Sequence, residues 1–423
     1  MRAVRLSAPW LLPVDGPTIR DGAVLVGHDG RIEAVGPSDT LPYPPDIEST
    51  HLANAVILPG LINVHTHLEL TGLELDVPRD RFPAWITSVR AAKSNRSRET
   101  FLAAAIEGLR EAHRSGVTTI ADTGDSGTVI EALNQVGGSG IAYHEVFGPH
   151  PDQAEECMVA FRDDLDRLRR FEGPRVRLGV SPHAPYTVSG PLYRAVTRLA
   201  NGLDLPIALH LAESKDESAL MMGQGKFAEG WRARGIPLPD DPSHGVGTGS
   251  ESWSTRGASR TPVAWLDTLG VLGPRTLCIH VVQVTDDDLA LLAERSVAIA
   301  YCPLSNLEHG HGPAPLLEFQ RAGLRVGVGT DSVLSVGKPD LFAELSSAHA
   351  LLGASQALRL VTLGGAEALG LDHEVGSISV GKWGDLCAVE VGPGDSQGIE
   401  ERVLAAGTPA VIGTWLAGRC CIP

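Results

Sequence analysis

The sequence predicts a (β/α)8 TIM barrel carrying a small β-sandwich domain built from both chain ends, and three observations predict it. Eight apolar, strand-like runs alternate with helical stretches between residues 58 and 373, the pattern of a parallel sheet joined by crossover helices. The two ends, 1–57 and 374–423, read instead as short strands with glycine turns. Several of the eight runs end in histidine or aspartate, where a barrel of this kind carries its chemistry.

In chain order, the opening module is punctuated by Asp15-Gly16, Asp21-Gly22 and Asp29-Gly30, the dipeptides that favour hairpin turns. Strand-like runs recur over Gly376 to Val391 and Ala410 to Cys421. Neither end has enough strands to bury a sheet face alone, so the two are expected to pair, with the barrel inserted between them. The barrel strands are expected at Leu61 to His67, Val117 to Asp122, Gly140 to Phe147, Val176 to Ser181, Pro206 to His210, Thr276 to Val281, Val297 to Cys302 and Arg325 to Asp331. Between them, Leu102, Ile106, Leu109 and His113, and then Met158, Phe161, Leu165 and Leu168, recur at helical spacing. Thr285 followed by Asp288 predicts a helix cap. Two segments break the rhythm. Arg79 to Arg98, with Phe82, Trp85 and Ile86, is expected to fold over the barrel mouth, and 214–260, rich in Gly, Ser and Pro toward its end, to form a lid insertion.

Composition narrows the function. The chain has 423 residues, 43% hydrophobic and 20% charged, enough for a barrel of ~250 residues plus a smaller module. No apolar run reaches the ~18 residues of a membrane span, and the start lacks a signal-peptide pattern, so a cytoplasmic protein is expected. A formal charge of −16 opposes nucleic acid and anionic membrane as partners. A small-molecule substrate fits, and a homodimer is compatible with it. The six cysteines show no CxxC spacing and read as reduced, structural thiols.

The chemistry centres on Leu58 to Glu69, LPGLINVHTHLE. Side chains alternate along a strand, so His65 and His67 leave its end on the same side, an arrangement that suits a divalent metal. His210, His280 and Asp331 stand at the ends of the fifth, sixth and eighth predicted strands, and together the five make a metal-site constellation.

The order PGLINVHTHLE, SPHAPYTVS, HLAES, CIH, CPLSN, GTDS and GSISVGKWGDL resembles the amidohydrolase superfamily, specifically its cytosine deaminase-like and chlorohydrolase-like branch, over nearly the whole chain. The resemblance implies one metal per chain held by His65, His67, His210 and Asp331; three imidazoles and one carboxylate suit a divalent ion, zinc with ferrous iron as the alternative. It also implies His280 beside the attacking water and Glu213 as proton shuttle. Binuclear relatives carry a bridging lysine at the end of the fourth strand; here that end reads Val180, Ser181, Pro182, His183. The chemistry of the residues agrees. A divalent metal lowers the pKa of water toward ~7, Asp331 can accept its proton, and Glu213, three residues beyond His210, can carry protons to a substrate ring nitrogen and leaving amine. His280 can polarise the attacked carbon. The product is that of hydrolytic deamination.

Within that branch the HTHLE opening, FPAWI, SPHAPYTVS and TPVAWLDTLGVL are most similar to aminodeoxyfutalosine deaminases of menaquinone biosynthesis, with methylthioadenosine and S-adenosylhomocysteine deaminases close by. Ser94 stands where that subgroup's ribose-gripping Glu is expected, nine residues after Trp85. The alternatives are those close relatives or a guanine deaminase or chlorohydrolase acting on another heterocycle. The resemblance also implies substrate contact by His183. Trp85 is expected to stack on substrate and Glu69 to offer a polar contact, while Arg79, Arg81 and Arg90 could meet a carboxylate. His309 and His311 repeat the HxH spacing in a Gly/Pro loop without a carboxylate partner, and are expected not to be ligands. His113 and His349 read as structural.

Overall fold

The computed structural model describes residues 3–44, 47–245, 260–392, 394 and 398–422. The chain opens with β1 (Val4–Leu11), β2 (Ile19–Val26), β3 (Ile32–Pro37), β4 (Glu48–His51) and β5 (Ala55–Pro59). Next come β6 (Leu61–Thr66), β7 (Val117–Gly124), β8 (Gly140–Val146), β9 (Val176–Pro182), β10 (Ile207–Leu211), β11 (Thr276–His280), β12 (Ala298–Tyr301) and β13 (Arg325–Val328). It closes with β14 (Leu386–Glu390), β15 (Val411–Leu416) and β16 (Arg419–Cys420).

Both ends build one mixed sheet, in the order β16-β15-β14-β5-β1-β2-β3 with β4 on β1. The ends meet where β5 pairs antiparallel with β14, from Pro59 opposite Leu386 to Ala55 opposite Glu390. The sheet forks at β1, whose first half pairs with β4 and whose last two residues pair with β5. Period-two alternation then gives both faces of the join an apolar neighbour. Ala55, Ile57, Leu386 and Ala388 pack with Leu6, Val24 and Ile32 inside the sheet's own core, while Val56, Leu58, Cys387 and Val389 join the core of the barrel. The Asp21-Gly22 pair does not turn the chain, contrary to expectation. β2 runs straight through it with Asp21 at φ 47°, and a Cβ on Gly22 would fall 2.7 Å from that of Leu11, so the glycine there permits close strand packing. Asp15-Gly16 and Asp29-Gly30 do lie in connections, the latter with Gly30 at φ 83°.

The middle is a barrel of eight strands in consecutive order from β6 to β13, each predicted from the sequence. Closure joins the last strand to the first: Thr66 bridges Asp331 in parallel, and the amides of Thr330 and Asp331 both donate to His65 O at 3.0 Å. Gly329 permits this approach, because a Cβ there would lie 2.8 Å from both His65 N and His65 Cβ.

The crossover helices bury the second predicted stripe in full and the first in part, Leu102 and Ile106 staying half-buried beside a face of Phe101, Ala105 and Leu109. Arg98–Arg114 is capped by Ser97 and buries Leu109 and His113; Ala154–Leu168 buries Met158, Phe161, Leu165 and Leu168. Thr285 and Asp288 form a reciprocal capping box. The 214–260 stretch proves partly regular, with helices Lys215–Met221 and Gly225–Ala233, each too short to show a period in sequence. Its centre, 246–259, lies outside the described residues. The 79–98 segment forms the helix Phe82–Lys93 over the barrel mouth, with Phe82 and Trp85 buried.

Candidate active site

The strand ends converge on one point. Ring centroids of His65 lie 4.8 Å from His67, 5.1 Å from His210 and 5.9 Å from His280. Asp331 Oδ1 is 3.5 Å from His65 Nε2 and 3.4 Å from His67 Nε2. Ligand atoms of His65, His67 and Asp331 lie within 4.8 Å of one another, as do those of His65, His210 and His280. The backbone is strained where it delivers them: His280 sits at φ 72° and Asp331 at φ 58°, with Ala212 and Val281 also left-handed, a cost tolerated mainly at functional sites.

The outer hydrogen bonds decide which atoms face inward. His67 Nδ1 donates to Thr123 O at 2.8 Å and His210 Nδ1 to His183 O at 3.2 Å, so each neutral ring presents an Nε2 lone pair. Asp331 accepts from Ser305 Oγ at 2.6 Å and from the Ser332 amide at 2.7 Å, which fixes its rotamer. Among the described residues neither nitrogen of His65, 1% exposed, has a hydrogen-bond partner. Burial is expensive for an orphaned polar atom, and convergent lone pairs around a carboxylate are what a divalent cation satisfies, so the donor set fits one. Burial lowers the His65 pKa to about 4 and lowers those of His67 and His210, keeping the imidazoles in their ligand form. Burial would raise the Asp331 carboxyl, but the surrounding imidazoles outweigh it and hold it well below the ordinary range.

Glu213, 3% exposed, follows β10 and lies beside the cluster, its Oε1 3.6 Å from His280 Nε2. Burial raises its pKa, against the pull of His280 and a Tyr186 hydrogen bond. Its backbone is held by Glu217, which accepts from the Ala212 and Glu213 amides at 2.8 and 3.1 Å. His280 Nδ1 meets Asn306 Oδ1 at 2.9 Å. The amide oxygen can only accept, so His280 turns an Nε2 lone pair toward the site.

The remaining expected residues are placed differently. His183 packs 4.7 Å from His210 and 4.8 Å from Phe147, at the edge of the cluster. Trp85 is buried in the cap helix with its ring 4.5 Å from that of His309. Glu69 offers substrate a carboxylate already in use: Oε1 takes Lys93 Nζ at 2.5 Å and Oε2 takes the Ser126 amide and hydroxyl. Burial works against its charge, yet Lys93 brings its pKa down to about 2. Arg79 is likewise occupied, by Glu308 and Leu334 O.

Sequence reasoning missed several neighbours. His311, read as lacking a carboxylate, sits 3.4 Å from Glu213 Oε1; no sequence spacing announces that contact. Glu145, next to last in β8, has Oε1 unpartnered among the described residues, and burial pushes its pKa up to about 8. Its ligand atom groups with those of His183 and His210. His210 has a single inward nitrogen and cannot serve two ions at once, so this second grouping does not add a second metal beside the first. Tyr186, Glu217 and Asn306 escaped notice because each acts through a fold contact.

Residues 56–421 match the amidohydrolase family. The chain belongs to that family. Membership, together with the deaminases among its relatives, makes it a metal-dependent hydrolase acting on C–N bonds. Among relatives, an aminodeoxyfutalosine deaminase of Deinococcus radiodurans is 37% identical over 74% of this chain and 72% of its own. A 5-methylthioadenosine/S-adenosylhomocysteine deaminase of Desulfitobacterium hafniense is 30% identical over 90% of this chain and 83% of its own. An adenosine deaminase from Xanthomonas campestris, solved with bound zinc, superposes with a TM-score of 0.81 at 26% identity, covering 99% of this chain and 92% of that one. No helix among the described residues is long and apolar enough to cross a membrane.

Proposed function

We propose that this amidohydrolase deaminates an adenine nucleoside, with 6-aminodeoxyfutalosine ranked first. The observation that carries the reading is Glu213, a buried carboxyl beside the His/Asp cluster with His280 at the same oxygen, in a chain 37% identical to an aminodeoxyfutalosine deaminase. His65, His67, His210 and Asp331 would hold one divalent ion, with zinc the ion of choice for an imidazole-rich, single-carboxylate set. When bound, such an ion makes water acidic enough to be a nucleophile at neutral pH.

The chain's own groups do the rest. Asp331 accepts a proton from the attacking water, and His280 Nε2 receives a hydrogen bond that orients it. Glu213 protonates ring N1 as C6 becomes tetrahedral, takes up the proton of the new C6 hydroxyl and passes it to the departing amine, and the proton held by Asp331 returns to Glu213 as the products leave, so that water adds, ammonia leaves and a carbonyl remains. Glu213 suits these transfers because burial lifts its pKa toward the working range. His183, packed beside His210, contacts substrate next to the cluster, and the Phe82–Lys93 helix covers the site. The remote contacts of a bulky 5′ substituent supply binding energy usable at C6.

The relative from Desulfitobacterium supports a second reading, methylthioadenosine or S-adenosylhomocysteine, because its likeness runs through 90% of the chain. Ammonia release and kcat/KM across 6-aminodeoxyfutalosine, methylthioadenosine, S-adenosylhomocysteine, adenosine and guanine decide between them. A best substrate that is guanine or a triazine overturns the nucleoside reading. Glu213→Gln should keep its metal and lose about 10²- to 10⁴-fold in kcat; near wild-type turnover would remove Glu213 from the mechanism.

A further inference from the structure

His309-Gly310-His311 has no part in the chemistry described so far. We propose that His311 is a positioning residue for Glu213, donating from Nε2 to Oε1 and holding the carboxylate between the metal cluster and the substrate ring. This rests on the deaminase reading above. The two side chains face each other at 3.4 Å, 5% and 4% exposed, and among the described residues the inward nitrogen of His311 makes no other hydrogen bond. That distance is long for a hydrogen bond, as catalytic contacts often are until substrate draws them together.

The chemistry of the neighbours makes His311 necessary. To accept a proton, Glu213 must spend part of the cycle as a buried anion, which needs donors. His280 stands at the same oxygen but, with its proton committed to Asn306 Oδ1, brings a lone pair that cannot support the charge. Tyr186 is one donor. Burial keeps His311 neutral, at about 4, and among the described residues no hydrogen bond to a side-chain nitrogen of His311 dictates its tautomer, so Nε2 is able to carry the proton.

The loop is built to hold that ring. Asn306 O accepts from the His311 amide at 2.9 Å and His311 O from Gln283 Nε2 at 2.7 Å. Gly310 at φ 68° and Gly312 at φ 94° let the chain fold back on either side, backbone that other residues adopt poorly. Phe82 of the cap helix stands edge-on, 4.7 Å from the His311 ring. His309 Nδ1 donates to Arg79 O at 2.9 Å. One short loop therefore ties the cap segment to the shuttle carboxylate.

The test is a cycle of variants in the metal-loaded full-length enzyme, assayed on the best nucleoside of the panel. His311→Leu is expected to lower kcat roughly 10- to 100-fold, as removal of an orienting partner does, with KM and metal content little changed. His311→Gln, which keeps an N–H donor, is expected to recover most of that loss. In a Glu213→Gln background His311→Leu should cost almost nothing further. An unchanged kcat in His311→Leu, a loss confined to KM, or full multiplicative losses in the double variant would each overturn the proposal. If His311→Leu does not fold, His311→Asn and His311→Ala run the same cycle. Should Glu213→Gln itself turn over at the wild-type rate, the shuttle reading fails as well; a slow Glu213→Gln beside a fast His311→Leu sinks this inference alone.

Discussion

Two walls of one barrel mouth are built by different means. The wall of candidate ligands, His65, His67, His210 and Asp331, hangs from strand ends and is oriented largely by backbone groups: Thr123 O, His183 O and the Ser332 amide. The facing wall and its cap are set by side chain on side chain: Phe82 on His311, Trp85 on His309, Tyr186 stacked 4.3 Å from Phe227, and Lys93 between Glu69 and Asp125. The contrast follows the division of labour in this fold. A rigid sheet carries invariant chemistry, and loops above it carry what differs from one substrate to the next.

The largest effect should come from breaking the strand-end wall. His65→Ala combined with His67→Ala removes two lone pairs from the convergent set, and we expect loss of stoichiometric metal and of activity together. Elemental analysis of protein purified without chelator is the check; full metal in that variant, or two ions per chain in the wild type, would refute a single four-residue site. Chelation should also lower the thermal midpoint of the wild type, since a ligand at 100 times its Kd stabilises by about 2.7 kcal/mol, and should leave the double variant's midpoint where it was.

Glu217 offers a gentler break just beyond that wall. It is wholly buried, and its carboxyl holds the amides of Ala212 and Glu213 at the left-handed turn that carries β10 into the shuttle. Glu217→Ala leaves those amides unpaired and frees the turn. A kcat loss of roughly 10- to 100-fold is expected, in line with other orienting groups, with metal retained. A wild-type rate would show that the turn holds its shape unaided.

The same contrast explains what could be read from sequence. HxH spacing, strand-end position and the apolar runs are local patterns, so the eight barrel strands and the residues that converge at their ends were legible. Asp21-Gly22 misled because the dipeptide reports backbone freedom, and the fold uses that freedom for close packing within β2. His311 was legible as a histidine in a glycine loop, but its partner lies 98 positions back at Glu213, and only the barrel brings them together. Glu69 carried the right charge beside the right motif; Lys93, from the cap helix, claims it.

That pair gives the next prediction. Lys93→Met leaves Glu69 and Asp125 without their shared cation and loosens the cap helix at its C-terminal end. Because neither carboxylate is in the metal cluster, the expected result is a KM raised several-fold with kcat nearly unchanged, the reverse of the His311 signature. A kcat collapse with KM intact would place Lys93 in the chemistry instead of the cap.

The smallest effect should come from the outer tie of the cap, Arg79 to Glu308 at 3.0 Å. The pair is partly exposed, and such bridges contribute about 0 to 1 kcal/mol. Glu308→Gln removes the bridge, yet Arg79 Nε still donates to Leu334 O at 2.8 Å and Arg79 O still receives His309, so the cap stays docked. KM should shift by less than about fivefold, the factor that 1 kcal/mol allows, and by the same factor for a nucleoside that carries a carboxylate and one that does not. If Arg79 instead recognises a substrate carboxylate, releasing its guanidinium from Glu308 should improve KM for the acidic nucleoside alone. Comparing 6-aminodeoxyfutalosine with methylthioadenosine on this one variant therefore shows whether Arg79 fastens the cap or reads the substrate.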